Sequence, residues 1–281
     1  MSLKRILAAG VLAVAAGTLL AACGGGGGGG GSNNTSTSTG TTQAAAVPNP
    51  IVFCSDTTYP PMESLVNGKP AGADIDIANA IAKLLGTKAQ IKPTGFTVII
   101  PALLQHKCNA IISAMTDNAE RRKKVDFADY VDVGMSLMVK KGNPENINGL
   151  TSLSGKTVAV EAATTEKAAL DAENKKLAKQ GKKQITIRIF PADTNAAAAL
   201  LAGKVDAYFA DATPVLYYIK KTGGKFQTAG PQLGTAPEGI ATRKGDPLGA
   251  KFKSAIKTLY SNGTMKMILA KWGLSAFAMK Q

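Results

Sequence analysis

LSGKTVAVEAATTEKAALDAENKKLAKQGKKQITIRIF, residues 153–190, reads as one strand–helix–strand unit. Thr157 to Val160 is a short apolar strand. Thr165 to Lys179 has the length and composition of a helix, with Gly181 beyond its end. Ile185 to Phe190 alternates β-branched residues with others, as a strand does. The same rhythm continues. Thr194 to Leu201 is an Ala-rich helix closed by Gly203, Val205 to Ala210 a strand, and Pro214 to Lys221 a helix closed by Gly223-Gly224.

An earlier series has the same order. Ile51 to Cys54 and Ala89 to Lys92 read as strands, with a helix from Asp76 to Leu85 between them. Pro101 to Gln105 suits a helix start, since proline is tolerated in the first turn. Ala110 to Met115 is expected as a strand, Glu120 to Val125 as a helix and Met135 to Val139 as a strand. Ile240 to Thr242 adds a strand, and Ala250 to Tyr260 and Met265 to Trp272 are the final helices. Two successive βαβ series predict an α/β protein with two parallel-sheet lobes. Such sheets bind ligands beyond the C-terminal ends of their strands, and two lobes facing each other would form a cleft.

The N-terminus is of another kind. Lys4 and Arg5 precede an apolar run, Ile6 to Leu20, and then Leu20-Ala21-Ala22-Cys23. This is the layout of a signal peptide, residues 1–22, too short and Ala-rich for a membrane span. The tetrapeptide resembles the lipobox of bacterial lipoproteins, which implies acylation at Cys23 and a membrane anchor. Residues 23–49 follow as a tether. Gly24 to Gly31 is unbroken glycine and Ser32 to Thr42 is Ser, Thr, Asn and Gly, too polar to fold. A coil of that length reaches roughly 25–30 Å.

Composition narrows the function. Apolar residues make up 45% of the 281 and charged residues 19%, as in globular proteins. The net charge of +14 is scattered, without the aromatic–basic pattern that suits nucleic acid. Beyond Cys23 there are two cysteines, Cys54 and Cys108, and His106 is the one histidine. A disulfide is open to an exported protein, but two buried free thiols are the simpler expectation. His106 falls between a helix and a strand, where an exposed cap or turn residue belongs. No metal site, cofactor or His-based triad is expected.

Several motifs in order carry a resemblance. Tyr59-Pro60-Pro61-Met62-Glu63, Gly72 to Ala78, Ile100-Pro101-Ala102-Leu103, and Ser113-Ala114-Met115-Thr116 followed by Glu120-Arg121 look like the first lobe of family 3 bacterial extracellular solute-binding proteins. Leu153 to Val160, Thr164-Thr165, Gly203 to Ala207 through Asp211, Gly239 to Thr242 and Lys271-Trp272-Gly273 continue the match. The resemblance implies a two-lobe, type II periplasmic-binding-protein-like fold. It implies lobe 1 at 50–135 and 239–281, lobe 2 at 136–238, and chain crossings near Val133 and Pro237. It also implies an extracytoplasmic, monomeric amino-acid receptor that delivers its ligand to an ABC-importer permease.

The family's site residues fall on chemistry that an amino acid needs. Arg121 would take the carboxylate through its planar fork, with Ala114 backbone and Thr116 beside it. Thr164 and Thr165 open a helix, whose free N–H groups favour an anion. Asp211 would meet the ammonium. Tyr59 and Phe96 resemble aromatic walls for the side chain. Asp56 and Glu161 end the first strands of their lobes, and two acids there favour a cationic group, as in arginine, lysine or ornithine. The sequence departs from the family at Ala163, where glycine is usual, and at Ala73, Asn109 and Asn118. A rival reading is an enzyme like the cyclohexadienyl dehydratases of this scaffold, acting on arogenate or prephenate, with Asp56 and Glu161 as acid and base.

Overall fold

Strand, helix and hairpin alternate from the first described residues. The computed structural model describes residues 46–280. The first series comprises β1 (Ile51–Ser55), a hairpin sheet of β2 (Thr58–Tyr59), β3 (Glu63–Val66) and β4 (Lys69–Ala71), then α1 (Ala73–Leu84) and β5 (Ala89–Pro93). It continues through α2 (Phe96–Leu104), β6 (Ala110–Ile111), α3 (Ala119–Arg122) and β7 (Val125–Lys140). The second series has β8 (Thr157–Glu161), α4 (Thr165–Lys179), β9 (Thr186–Phe190), α5 (Asp193–Leu201), β10 (Ala207–Asp211) and α6 (Ala212–Lys221). The chain returns along β11 (Phe226–Arg243) and closes with α7 (Pro247–Ser261) and α8 (Thr264–Trp272).

Each series builds its own lobe. In the first, β1 lies parallel to both β5 and β6. Phe53, Ile77, Ile81, Phe252 and Leu269 fill one face, and Cys54, Leu103, Ile111 and Phe127 the other. In the second, β8 lies parallel to β9 and β10. Leu137, Val158, Leu170 and Phe209 pack under α4, while Met138, Ala196, Tyr208 and Val215 pack under α5 and α6. Strands covered on both faces read as continuous apolar runs, which is why β8 and β10 stand out in the sequence.

Four differences from expectation stand out. The two parallel sheets are not separate, because β7 and β11 form a long antiparallel ribbon that joins them in the order β5-β1-β6-β11-β7-β10-β8-β9. The two crossing positions lie side by side on it: Ala236 pairs with Val133 and Pro237 with Asp132, amid register shifts. Pro101 sits inside α2, which starts five residues earlier at Phe96, rather than in its first turn. The strand expected to Met115 stops at Ile111, because the chain bends toward Ala114, whose φ is 37°.

The fourth concerns the cysteines. Cys54 and Cys108 form a disulfide with a Cα–Cα distance of 5.7 Å. The free-thiol expectation fails because β1 and β6 are neighbours, so residues 54 apart in sequence are adjacent in space. His106 is exposed in a left-handed turn. The signal peptide, Cys23 and most of the tether lie outside the described residues. Val47 packs on the first lobe and the Pro48 carbonyl accepts a hydrogen bond from Thr87 Oγ1 at 2.9 Å, so ordered packing begins before residue 50.

Candidate functional site

The C-terminal ends of β1 and β8 and the hairpin β2–β3 face one another, and the side chains there are unusually acidic. Asp56 follows β1. Its Oδ1 accepts from Thr58 Oγ1 at 2.8 Å and its Oδ2 accepts from the Phe96 N–H at 2.6 Å, where α2 begins. Burial raises the Asp56 carboxyl above the usual range, and these donors hold it partly back. Ser113 Oγ accepts from the Asp56 N–H at 2.9 Å and donates to Glu63 Oε1 at 2.8 Å. The Ala114 N–H donates to Asp74 Oδ2 at 2.8 Å, and Tyr130 donates to Asp74 Oδ1 at 2.8 Å. Asp74 is pushed up to about 6 by burial.

Arg121 lies on the four-residue α3, which Asn118 caps by accepting the Arg121 N–H at 2.9 Å. Its Nη1 donates to the Thr116 carbonyl at 2.8 Å, and its guanidinium stands 5.2 Å from the centre of the Phe96 ring. Nη2 reaches the Ala163 carbonyl of the second lobe at 3.4 Å. Ala163 adopts φ 64°, the left-handed region glycine prefers. Thr164 caps α4, with Oγ1 accepting from the Lys167 N–H at 3.3 Å and donating to the Glu161 carbonyl at 2.9 Å.

The lobes touch through Tyr59 and Asp211. Tyr59 Oη donates to Asp211 Oδ2 at 2.8 Å and accepts from the Asp211 N–H at 3.1 Å. Burial raises both groups well above their ordinary values. At the other end, Glu161 is buried with Oε1 lacking a partner, and desolvation next to Asp193 and Asp56 pushes it to about 10. Asp193 accepts from Tyr208 Oη at 2.5 Å and is pushed to about 8 by burial.

These residues line a nearly filled cleft, in which the space left for the centre of a water molecule is about 10 Å³. All ten expected site residues line it: Asp56, Tyr59, Phe96, Ala114 and Thr116, then Arg121, Glu161, Thr164, Thr165 and Asp211. Three more were not singled out: Glu63, Ser113 and Glu166. Glu63 and Ser113 stood within the quoted motifs. Glu166 reads as an ordinary acid in a helix's first turn, where the dipole favours it, yet it is only 2% exposed. Among the described residues no group of three or more His, Cys, Asp or Glu could hold a metal, and no helix is long and apolar enough to cross a membrane.

The family model for bacterial extracellular solute-binding proteins, family 3, matches residues 51–275. The chain belongs to this family. Its relatives include the L-cystine-binding protein TcyJ of Escherichia coli, 30% identical over 218 residues, covering 76% of this chain and 79% of that protein. The L-arginine-binding protein of Pseudomonas aeruginosa is 32% identical over 237 residues, covering 81% and 89%. Among solved structures, an ancestral arginine-binding protein bound to arginine superposes with a TM-score of 0.74 at 36% identity, covering 80% of this chain and 98% of that one. The fold is thus the two-lobe one of solute-binding proteins, and the chain is a substrate-binding receptor of the extracytoplasmic, ABC-importer type.

Proposed function

We propose that this protein captures a free cationic amino acid (arginine, lysine or ornithine) and delivers it to an ABC-importer permease. The observation that carries this reading is charge balance. Five carboxyl side chains, Asp56, Glu63, Glu161, Glu166 and Asp211, line the cavity with one cation, Arg121. Buried charges need partners. A ligand with one carboxylate and two cationic groups supplies them, whereas a neutral amino acid leaves the Asp56–Glu161 end uncompensated. Arg121, Thr116, the Ala114 backbone and the start of α4 at Thr164 and Thr165 take the carboxylate. Asp211 takes the ammonium, Tyr59 and Phe96 flank the side chain, and Asp56 and Glu161 take its distal cation.

In this reading lobe 1 (50–135 and 239–281) and lobe 2 (136–238) close on the ligand about the β7–β11 ribbon near Val133 and Pro237. Contacts made only in the closed form supply the differential affinity that closure requires. Cys23 carries a lipid anchor, and residues 23–46 tether a monomeric receptor to the membrane.

A thermal-shift screen of refolded protein tests the ligand. A ligand at a thousand times its Kd adds about 4 kcal/mol, so arginine, lysine or ornithine should raise Tm clearly. A shift confined to neutral or acidic amino acids would overturn the cationic assignment. Turnover of arogenate or prephenate would replace the receptor with an enzyme.

A further inference from the structure

One buried acid near the ammonium end is absent from the cavity wall. Glu238 lies on β11 opposite Val131, at a register shift between it and Gly239, and it bridges to Thr116, whose carbonyl holds Arg121. It is 1% exposed, and neither carboxyl oxygen receives a hydrogen bond from an N–H or O–H group. Its side chain is within hydrogen-bonding reach of Asp211, which in turn reaches Glu166. Three carboxyls from α4, β10 and β11 thus meet behind the cavity.

The groups facing this trio are few. Arg121 from α3 is the cation; Asp74 from α1 adds a further acid, and Tyr59 from β2 and Tyr130 from β7 add hydroxyls. Two carboxyl oxygens in contact can form a hydrogen bond only with a proton between them. Three ionised carboxylates would also oppose one another in a site that burial has stripped of water. Both considerations leave a proton on the trio until a second positive charge arrives.

We propose that Glu238 is a positioning residue behind Asp211 that shares a proton with it, and that the ligand's ammonium displaces this proton to solvent when the cleft takes it up. The inference rests on the receptor reading above. Burial and neighbouring acids raise both Glu238 and Asp211 well above the carboxylate range, as the exchange needs. The sign follows from linkage. A ligand that releases a proton binds more tightly as pH rises, and one proton released corresponds to about tenfold in Kd per pH unit. The effect ends where the trio is already ionised without ligand.

Isothermal titration of L-arginine into the protein at pH 7, in buffers of different ionisation enthalpy, counts the protons. Wild type should release at least one per arginine. Glu238→Gln should still bind arginine but release about one fewer. Wild-type heats independent of buffer, or a Glu238→Gln count equal to wild type, would sink the inference while leaving the receptor intact. If Glu238→Gln does not fold, the wild-type buffer series and its pH dependence of Kd still decide. No binding of arginine, lysine or ornithine would overturn the receptor reading and this one with it.

Discussion

Replacing Tyr59 by Phe removes one oxygen atom at the contact between lobes. The ring stays in the first-lobe core beside Met62 and Ile112, so the folded lobe should be little affected. What is lost is the 2.8 Å bond to Asp211 Oδ2 and the acceptor for the Asp211 N–H at 3.1 Å. Asp211 is buried where the lobes meet, so water does not replace the hydroxyl in the closed form. In an open form it can, and the loss therefore falls on closure. A hydrogen bond to a charged group contributes about 1.5–3 kcal/mol. If tight binding requires the closed form, Kd for arginine should rise roughly 10- to 150-fold. Titration calorimetry gives Kd, and small-angle scattering with saturating ligand gives the degree of closure. A Tyr59→Phe variant that binds arginine within threefold of wild type would show that this contact does not support closure.

Other consequences can be checked on the same material. Asp56→Asn combined with Glu161→Gln should weaken arginine binding by roughly tenfold or more, since the ligand's cation loses buried partners, and glutamine should gain relative to arginine in competition titrations. Cys54→Ser with Cys108→Ser opens a loop closed across 54 positions and should cost up to about 4 kcal/mol by the chain-entropy model; urea unfolding with and without reductant measures it, and a loss under 1 kcal/mol would contradict that account. Glu161 and Asp193 have folded pKa values raised to about 10 and about 8, so the native state binds more protons than the unfolded chain above pH 4. Their contribution is present below the unfolded pKa and is lost as pH rises. Tm of ligand-free protein should fall from pH 5 to pH 8, and Glu161→Gln should flatten the fall.

What the sequence disclosed and what it hid have physical causes. The βαβ units were legible because β8, α4 and β10 are specified locally, by apolar runs and caps. The ribbon was not. Much of β11 reads Ala-Gly-Pro-Gln-Leu-Gly-Thr-Ala-Pro-Glu-Gly, a loop by composition, and it is a strand because β7 supplies its partners over many residues. The hairpin β2–β4 is similarly short and turn-rich. The disulfide depends on parallel neighbours that no local window contains. The ten expected site residues, which line one cleft, were chosen through a resemblance of motifs. Glu166, Asp193 and Glu238 carry no such mark, because an acid looks the same in sequence whether it faces water or the core.

That blindness to buried acids matters for mechanism. The net charge of the whole chain is strongly positive, at +14, yet the cleft concentrates acidic side chains. Asp56, Glu161 and Asp193 gather at one end, and Glu166, Asp211 and Glu238 at the other, where Arg121 is the facing cation. Closing the lobes desolvates these groups, and without a cation they resist it by mutual repulsion or by taking up protons. A ligand with two positive groups spaced along its length answers both ends at once, and one carboxylate answers Arg121. On the proposed cationic-ligand reading, closure is favourable with such a ligand and opposed without it. On that reading the same excess of acid that makes the empty cleft costly to shut makes shutting it selective.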